Sequence, residues 1–158
     1  MLGLYVRYRS PVPNMRGARV GVFALANGLA AEGLLDSVEA TWLRTNNDWY
    51  NAAYGDPSKA QPDVFDRSAN PITECWFKAS ATHLLARVDG YLRLLDAHGV
   101  AWEAVTSDRP GMILYEDEYQ VVVAPKFPQQ DHDVVEFRCG QTRGRVMRLP
   151  IGILTAWP

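Results

Sequence analysis

The chain has 158 residues, of which 47% are hydrophobic and 22% charged, and its net charge is −2. That length and composition predict a single globular domain over residues 1–158, since disorder would need fewer apolar residues and more net charge. The small acidic balance argues against a general nucleic-acid or membrane-surface binder, and no apolar run approaches the roughly 20 residues a membrane span needs. The N-terminal segment lacks the basic leader and apolar core of a signal peptide, so a cytoplasmic protein is expected.

Residues 2–9 are rich in Leu, Tyr and Val and predict a first strand, ended by Ser10-Pro11-Val12-Pro13. Asn14 suits an N-cap for a helix over about 15–32, stopped by Gly33. Asp36-Ser37-Val38-Glu39 has the pattern of a capping box, predicting a second helix over about 37–54. Gly55-Asp56-Pro57 breaks that helix, and residues 55–71 read as a long ordered loop. A third helix is expected from Pro71 or Ile72 to about His98, capped by Gly99. Beyond it the period becomes that of strands: Val100–Ser107, Met112–Ala124, Val134–Arg138 and Arg145–Leu149. Residues 112–124 could form one strand or a hairpin turning at Glu-Asp-Glu. The resulting class is α+β: an N-terminal strand, three helices, then an antiparallel β-meander with the helices packed on one face of the sheet.

The candidate functional residues are polar side chains on apolar stripes. At about 100° per residue, Val38, Trp42, Leu43, Trp49, Tyr50, Ala53 and Tyr54 share one side of the second helix. Glu39 and Asn46 project from that side and would be costly to bury without partners. Within the expected third helix, His83 and Arg87 interrupt an apolar side and are neighbours at i and i+4. Glu116 and Glu118 would share one face of a continuous strand, where mutual repulsion suits acid–base work or stabilisation of a cationic transition state. Alternatively, Glu39 is only the capping-box acid, Asn46, His83 and Arg87 satisfy the core, and the acids are solvated. Arginines collect at both ends of the sequence, so Arg7, Arg143 and Arg145 are candidates for an anion site; the alternative is charge balance across the sheet.

No motif for a nucleotide loop, serine nucleophile or zinc protease occurs. The two cysteines, Cys75 and Cys139, are far apart, and three histidines do not complete a zinc pattern, so neither a metal nor a cofactor is expected. Arg7 on the first strand, with Glu116-Asp117-Glu118 leading into Tyr119-Gln120-Val121-Val122-Val123, resembles the ADP-ribosyltransferases over two short stretches. The resemblance implies that Glu118 stabilises an oxocarbenium-like sugar and that Arg7 holds a dinucleotide phosphate. The family's Ser-Thr-Ser strand has no counterpart here.

Two function classes follow. The favoured one is a small ligand-binding or catalytic domain with an acidic–aromatic cleft, a carboxylate-dependent transferase or hydrolase. In it Glu116 or Glu118 and His83 carry protons, Asn46, Arg87 and Glu39 bind substrate, and Trp49 and Tyr50 form a stacking wall. The other is a non-catalytic protein-interaction or regulatory module that uses exposed aromatics. The partner is a small molecule in the first class and a protein in the second, with the oligomeric state open.

Overall fold

A computed structural model describes residues 4–125, 133–139 and 142–144, the last two segments as backbone only. Strand β1 (Tyr5–Arg9) leads to helices α1 (Val22–Ala31) and α2 (Ser37–Ala53). A short helix α3 (Pro57–Ala60) precedes strand β2 (Glu74–Lys78). Helices α4 (Thr82–Leu85) and α5 (Val88–Ala97) follow, then strands β3 (Trp102–Ser107), β4 (Met112–Glu116), β5 (Gln120–Ala124), β6 (Asp133–Cys139) and β7 (Thr142–Gly144). Every strand pairing is antiparallel, in the order β4-β5-β2-β1-β3-β6-β7. The class is α+β, as expected.

Local chemistry accounts for most boundaries. The Asp36 carboxylate accepts from the Glu39 amide at 2.8 Å and Glu39 accepts from the Asp36 amide at 3.1 Å, a complete capping box at the start of α2. Helices α1 and α5 both end on a left-handed glycine, Gly33 and Gly99, whose following amides reach back to Leu29 and Leu95. Residues 112–124 are a hairpin: Asp117 Oδ1 accepts from the Tyr119 and Gln120 amides at 2.8 and 3.0 Å and makes the turn.

Two expectations need correcting. The first helix begins at Val22, not near residue 15. Asn14 does not cap it; its Oδ1 accepts from the amides of Arg16 and Ala18 and closes a tight turn at Gly17, whose φ is +80°. Residues 10–21 therefore form a strap, tied back to the end of β1 by Ser10 N–H to the Val20 carbonyl at 2.7 Å and by a bridge between Arg9 and Gly21. The expected third helix is three elements. Its first part is β2, and Trp76 and Phe77 are both buried, one on each sheet face. A strand buried on both faces shows no alternation, so its sequence resembles that of a buried helix. The strand expected over Arg145–Leu149 lies outside the described residues.

The two sheet faces differ. One packs against α1, α2, α4 and α5 through Phe77, Trp102 and Ala104. On the other, Tyr5, Trp76, Val105, Val121 and Val123 form a smaller apolar cluster. The link from β3 to β4 constrains its shape. Ser107 stands level with Tyr5 and Lys78 at one end of the sheet, whereas Met112 stands level with Ala124 at the other, four strands away. In a flat sheet these points would be about 25 Å apart, from a spacing of about 4.8 Å between strands and a rise of about 3.3 Å per residue. The five residue steps from Ser107 to Met112 reach only about 18 Å. The sheet is therefore strongly coiled.

Candidate functional site

The residues singled out from the sequence fall into separate groups. The first lies between α2 and the α4–α5 segment, which run antiparallel. Glu39, at the start of α2, meets His98 at the end of α5 at 3.1 Å. About 10 Å further along α2, from its rise of 1.5 Å per residue, the Asn46 carbonyl accepts from Arg87 Nη2 at 3.1 Å, and its amide donates to the Trp42 carbonyl at 2.8 Å. One turn on, the Tyr50 hydroxyl donates to the Leu84 carbonyl at 2.7 Å. Burial raises the Tyr50 and Tyr91 phenols above the usual tyrosine range, so both stay protonated donors. The polar residues that interrupt the α2 stripe thus meet partners on the facing helices, which offsets their burial. The aromatic residues around them, Phe23, Trp42, Trp49, Tyr50, Tyr54, Phe77 and Tyr91, pack mostly edge to face.

The outer rim of this interface is exposed. The Arg87 guanidinium lies 4.0 Å from the centroid of Trp49, held there by Asn46. His83, one turn earlier, meets Tyr119 of the β4–β5 turn edge to face at 4.9 Å. Arg87 and His83 are exposed, whereas Trp49 and Tyr119 are half-buried. These four side chains form two contacting pairs, Trp49 with Arg87 and His83 with Tyr119, whose members on the α4–α5 segment are four residues apart.

The acids are elsewhere. Glu116 pairs in register with Val121, on the sheet face away from the helices, and binds Lys78 at 2.8 Å. Glu118 is exposed in the hairpin turn. Glu39 and Glu116 therefore lie apart from the Asn46–Arg87 pair, whereas Glu118 directly precedes Tyr119, the residue that meets His83.

Arg7 does not stand beside Arg143: β3 and β6 separate β1 from β7, a lateral distance of about 14 Å from the strand spacing. Arg145 lies outside the described residues. Arg7 instead belongs to a charged group on the sheet face away from the helices, together with Arg9, Glu74 and Glu103, all buried. Its Nη1 donates to the Cys75 carbonyl at 2.8 Å and its Nη2 to the Arg19 carbonyl at 2.6 Å, so it fastens the strap to β2 where the β1–β2 ladder has ended. Arg9 Nε donates to Glu103 Oε1 at 2.8 Å, and Arg19 Nη1 lies 3.8 Å from the same oxygen. Glu74 Oε2 accepts from the Trp76 indole at 3.2 Å. Three buried polar atoms of the group have no hydrogen-bond partner: Arg7 Nε, Arg9 Nη1 and Glu74 Oε1. Each such atom costs about 1–3 kcal/mol. Burial pulls the Arg7 guanidinium below the ordinary arginine value, with Glu74 opposing.

Tyr119, Glu74 and Glu103 were not singled out by sequence. Tyr119 sits in a turn that the sequence alone leaves open, and Glu74 falls in a segment whose sequence predicts a helix. A signal for Glu103 exists: it is the acid in a hydrophobic strand, and it pairs directly with Arg9. Among the described residues, no group of three His, Cys, Asp or Glu could hold a metal ion, and no helix is long and apolar enough to cross a membrane. Comparison with known protein families, curated proteins and solved structures finds no match to this chain.

Proposed function

We propose that this protein is a binding module that recognises an acidic segment of a partner protein through the two pairs Trp49–Arg87 and His83–Tyr119. The supporting observation is the Arg87 guanidinium, stacked at 4.0 Å on Trp49 and bonded at 3.1 Å to Asn46 while its residue stays exposed. A guanidinium fixed in this way has lost most of its rotamer freedom before binding, so a carboxylate gains more from it than from a free arginine. Trp, Tyr and Arg are also the residue types that dominate protein interfaces. His83 extends the donor surface next to Tyr119, where an apolar or aromatic side chain of the partner would lie. Asn46 and Tyr50 then support the surface from behind, through their bonds to Arg87 and the Leu84 carbonyl, rather than contact a substrate.

The test is selection of peptides from a displayed random library on the wild-type protein, followed by titration of the winners against Arg87→Ala and Trp49→Ala. Enrichment of peptides carrying Asp or Glu is expected, with affinity falling about tenfold or more in each variant, as for hot-spot residues. Winners that bind the wild type and both variants equally would remove these pairs from consideration.

A further inference from the structure

Strand β4 stands at one edge of the sheet and, among the described residues, pairs only with β5. Its outer row of N–H and C=O groups is a template for another strand, and native edges are usually blunted by charge or proline within the strand. Here the edge reads Met112-Ile113-Leu114-Tyr115, with Met112 58% and Ile113 48% exposed and no charge among the four. Its one irregularity is a shift of register between Ile113 and Tyr115. Met112 and Tyr115 stand opposite Ala124 and Val122, two residues apart on β5, so both project on the same face. The ends of the edge differ in charge. Arg109 is exposed before the strand and Glu118 is exposed after it. Glu116 is engaged by Lys78, and Asp117 by the bonds of its own turn. The side chains of Arg109 and Glu118 are left to meet a neighbour.

An open edge is completed by a strand, and this edge is complementary to itself. Antiparallel pairing of two copies sets the basic end of each beside the acidic end of the other, whereas parallel pairing sets like beside like. We infer that β4 pairs with β4 of a second copy of this chain, antiparallel about a twofold axis between Ile113 and Leu114, and joins the two sheets into one. That register brings Arg109 towards Glu118 of the second copy and sets Met112 level with Tyr115 of the second copy. The axis stands perpendicular to the sheet, so each face of one copy continues the same face of the other. Met112 and Tyr115 then meet on one face, twice over, as sulfur–aromatic contacts. The shift of register is what permits this, since residues three apart in an unbroken strand point to opposite faces. Both helix layers end on one side of the joined sheet. The inference is independent of the acidic-segment reading, because it uses none of Trp49, Arg87, His83 and Tyr119.

The experiment is sedimentation equilibrium of the full chain at low salt over a wide range of concentration. A pairing of two short strands is a small interface, so the wild type should pass from monomer to dimer at about 10–100 μM. Arg109→Glu and Glu118→Arg, both at exposed positions, should each weaken the dimer about tenfold, because either change sets two like-charge pairs across the axis. The double reversal should restore the wild-type constant to within about threefold. Ile113→Lys puts a charge in the middle of the edge and should leave a monomer at every concentration, with circular dichroism showing that it is folded. A wild type that stays monomeric throughout overturns the proposal and gives the edge to another protein's strand. A dimer indifferent to both single reversals, or one that the double reversal does not restore, overturns it too, since the copies would then be held by another surface or in another register.

Discussion

Asp117 is the residue on which the hairpin turns. Partial burial pushes its carboxyl up, but bonds from the Gln120 side chain, the Tyr119 and Gln120 amides and the Tyr115 hydroxyl together hold it below the ordinary aspartate value. A carboxyl depressed by folding contributes stability that is complete above its unfolded pKa, about 3.9, and is lost as the pH falls through its folded value. The urea midpoint of the wild type should therefore drop more steeply on acidification below about pH 5 than that of Asp117→Ala. Equal slopes would show that the turn contributes nothing to acid sensitivity. At this scale the sequence was only half legible. The Asp-x-x-Glu spacing gave the α2 cap directly, because a capping box is a local bond between four neighbouring residues. Asn46 and Glu39 stood out as polar intruders, but whether each meets a ligand or a facing helix depends on chain tens of residues away. Arg87 and His98 supplied the partners.

At the scale of elements, the contact between α2 and α5 is set by a missing side chain. A Cβ at Gly90 would overlap the indole ring of Trp42, with Cη2 at 2.9 Å, and that ring is itself packed edge to face on Tyr91 at 5.1 Å. Two effects oppose each other in Gly90→Ala. Alanine improves helix propensity by about 1 kcal/mol, whereas overpacking costs about 1–3 kcal/mol. The clash should win in the wild type, lowering stability by about 1 kcal/mol. In a Trp42→Leu background the same substitution should become neutral or stabilising. A double-mutant cycle by urea denaturation checks this, and a coupling near zero would mean that the ring moves aside freely. The elements themselves were legible where one face is wet. The α2 stripe and the strands after Gly99 have that asymmetry. Strand β2 does not, because Trp76 and Phe77 are buried on opposite faces and their run carries neither period.

At the scale of the whole molecule, the order of strands was beyond the sequence. Composition and period implied a meander, but β1 lies in the middle of the sheet, and β3 and β4, adjacent in the chain, lie four strands apart. The crossover between them is short for its span, which reverses the usual rule for loops. Lengthening a slack loop costs little, about 0.6 kcal/mol per doubling. Here, inserting one glycine after Arg109 should be equally mild. Deleting Arg109 should destabilise far more, since the reach falls to about 14 Å. Comparable denaturation midpoints for the two variants would mean that the sheet is less coiled than its register requires.

The central place of β1 also orders events in time. Its two partners, β2 and β3, begin at Glu74 and Trp102, so the strand is synthesised long before either can pair with it. Contacts of such sequence separation are closed late and slowly, because the entropy of a long loop is lost before the pairing returns anything. While it waits, β1 carries two arginines whose eventual setting is a dry interior, and their charges keep the segment hydrated and separate from other nascent chains. The same residues that strain the finished fold with unpartnered atoms act, during folding, as gatekeepers of an otherwise adhesive strand.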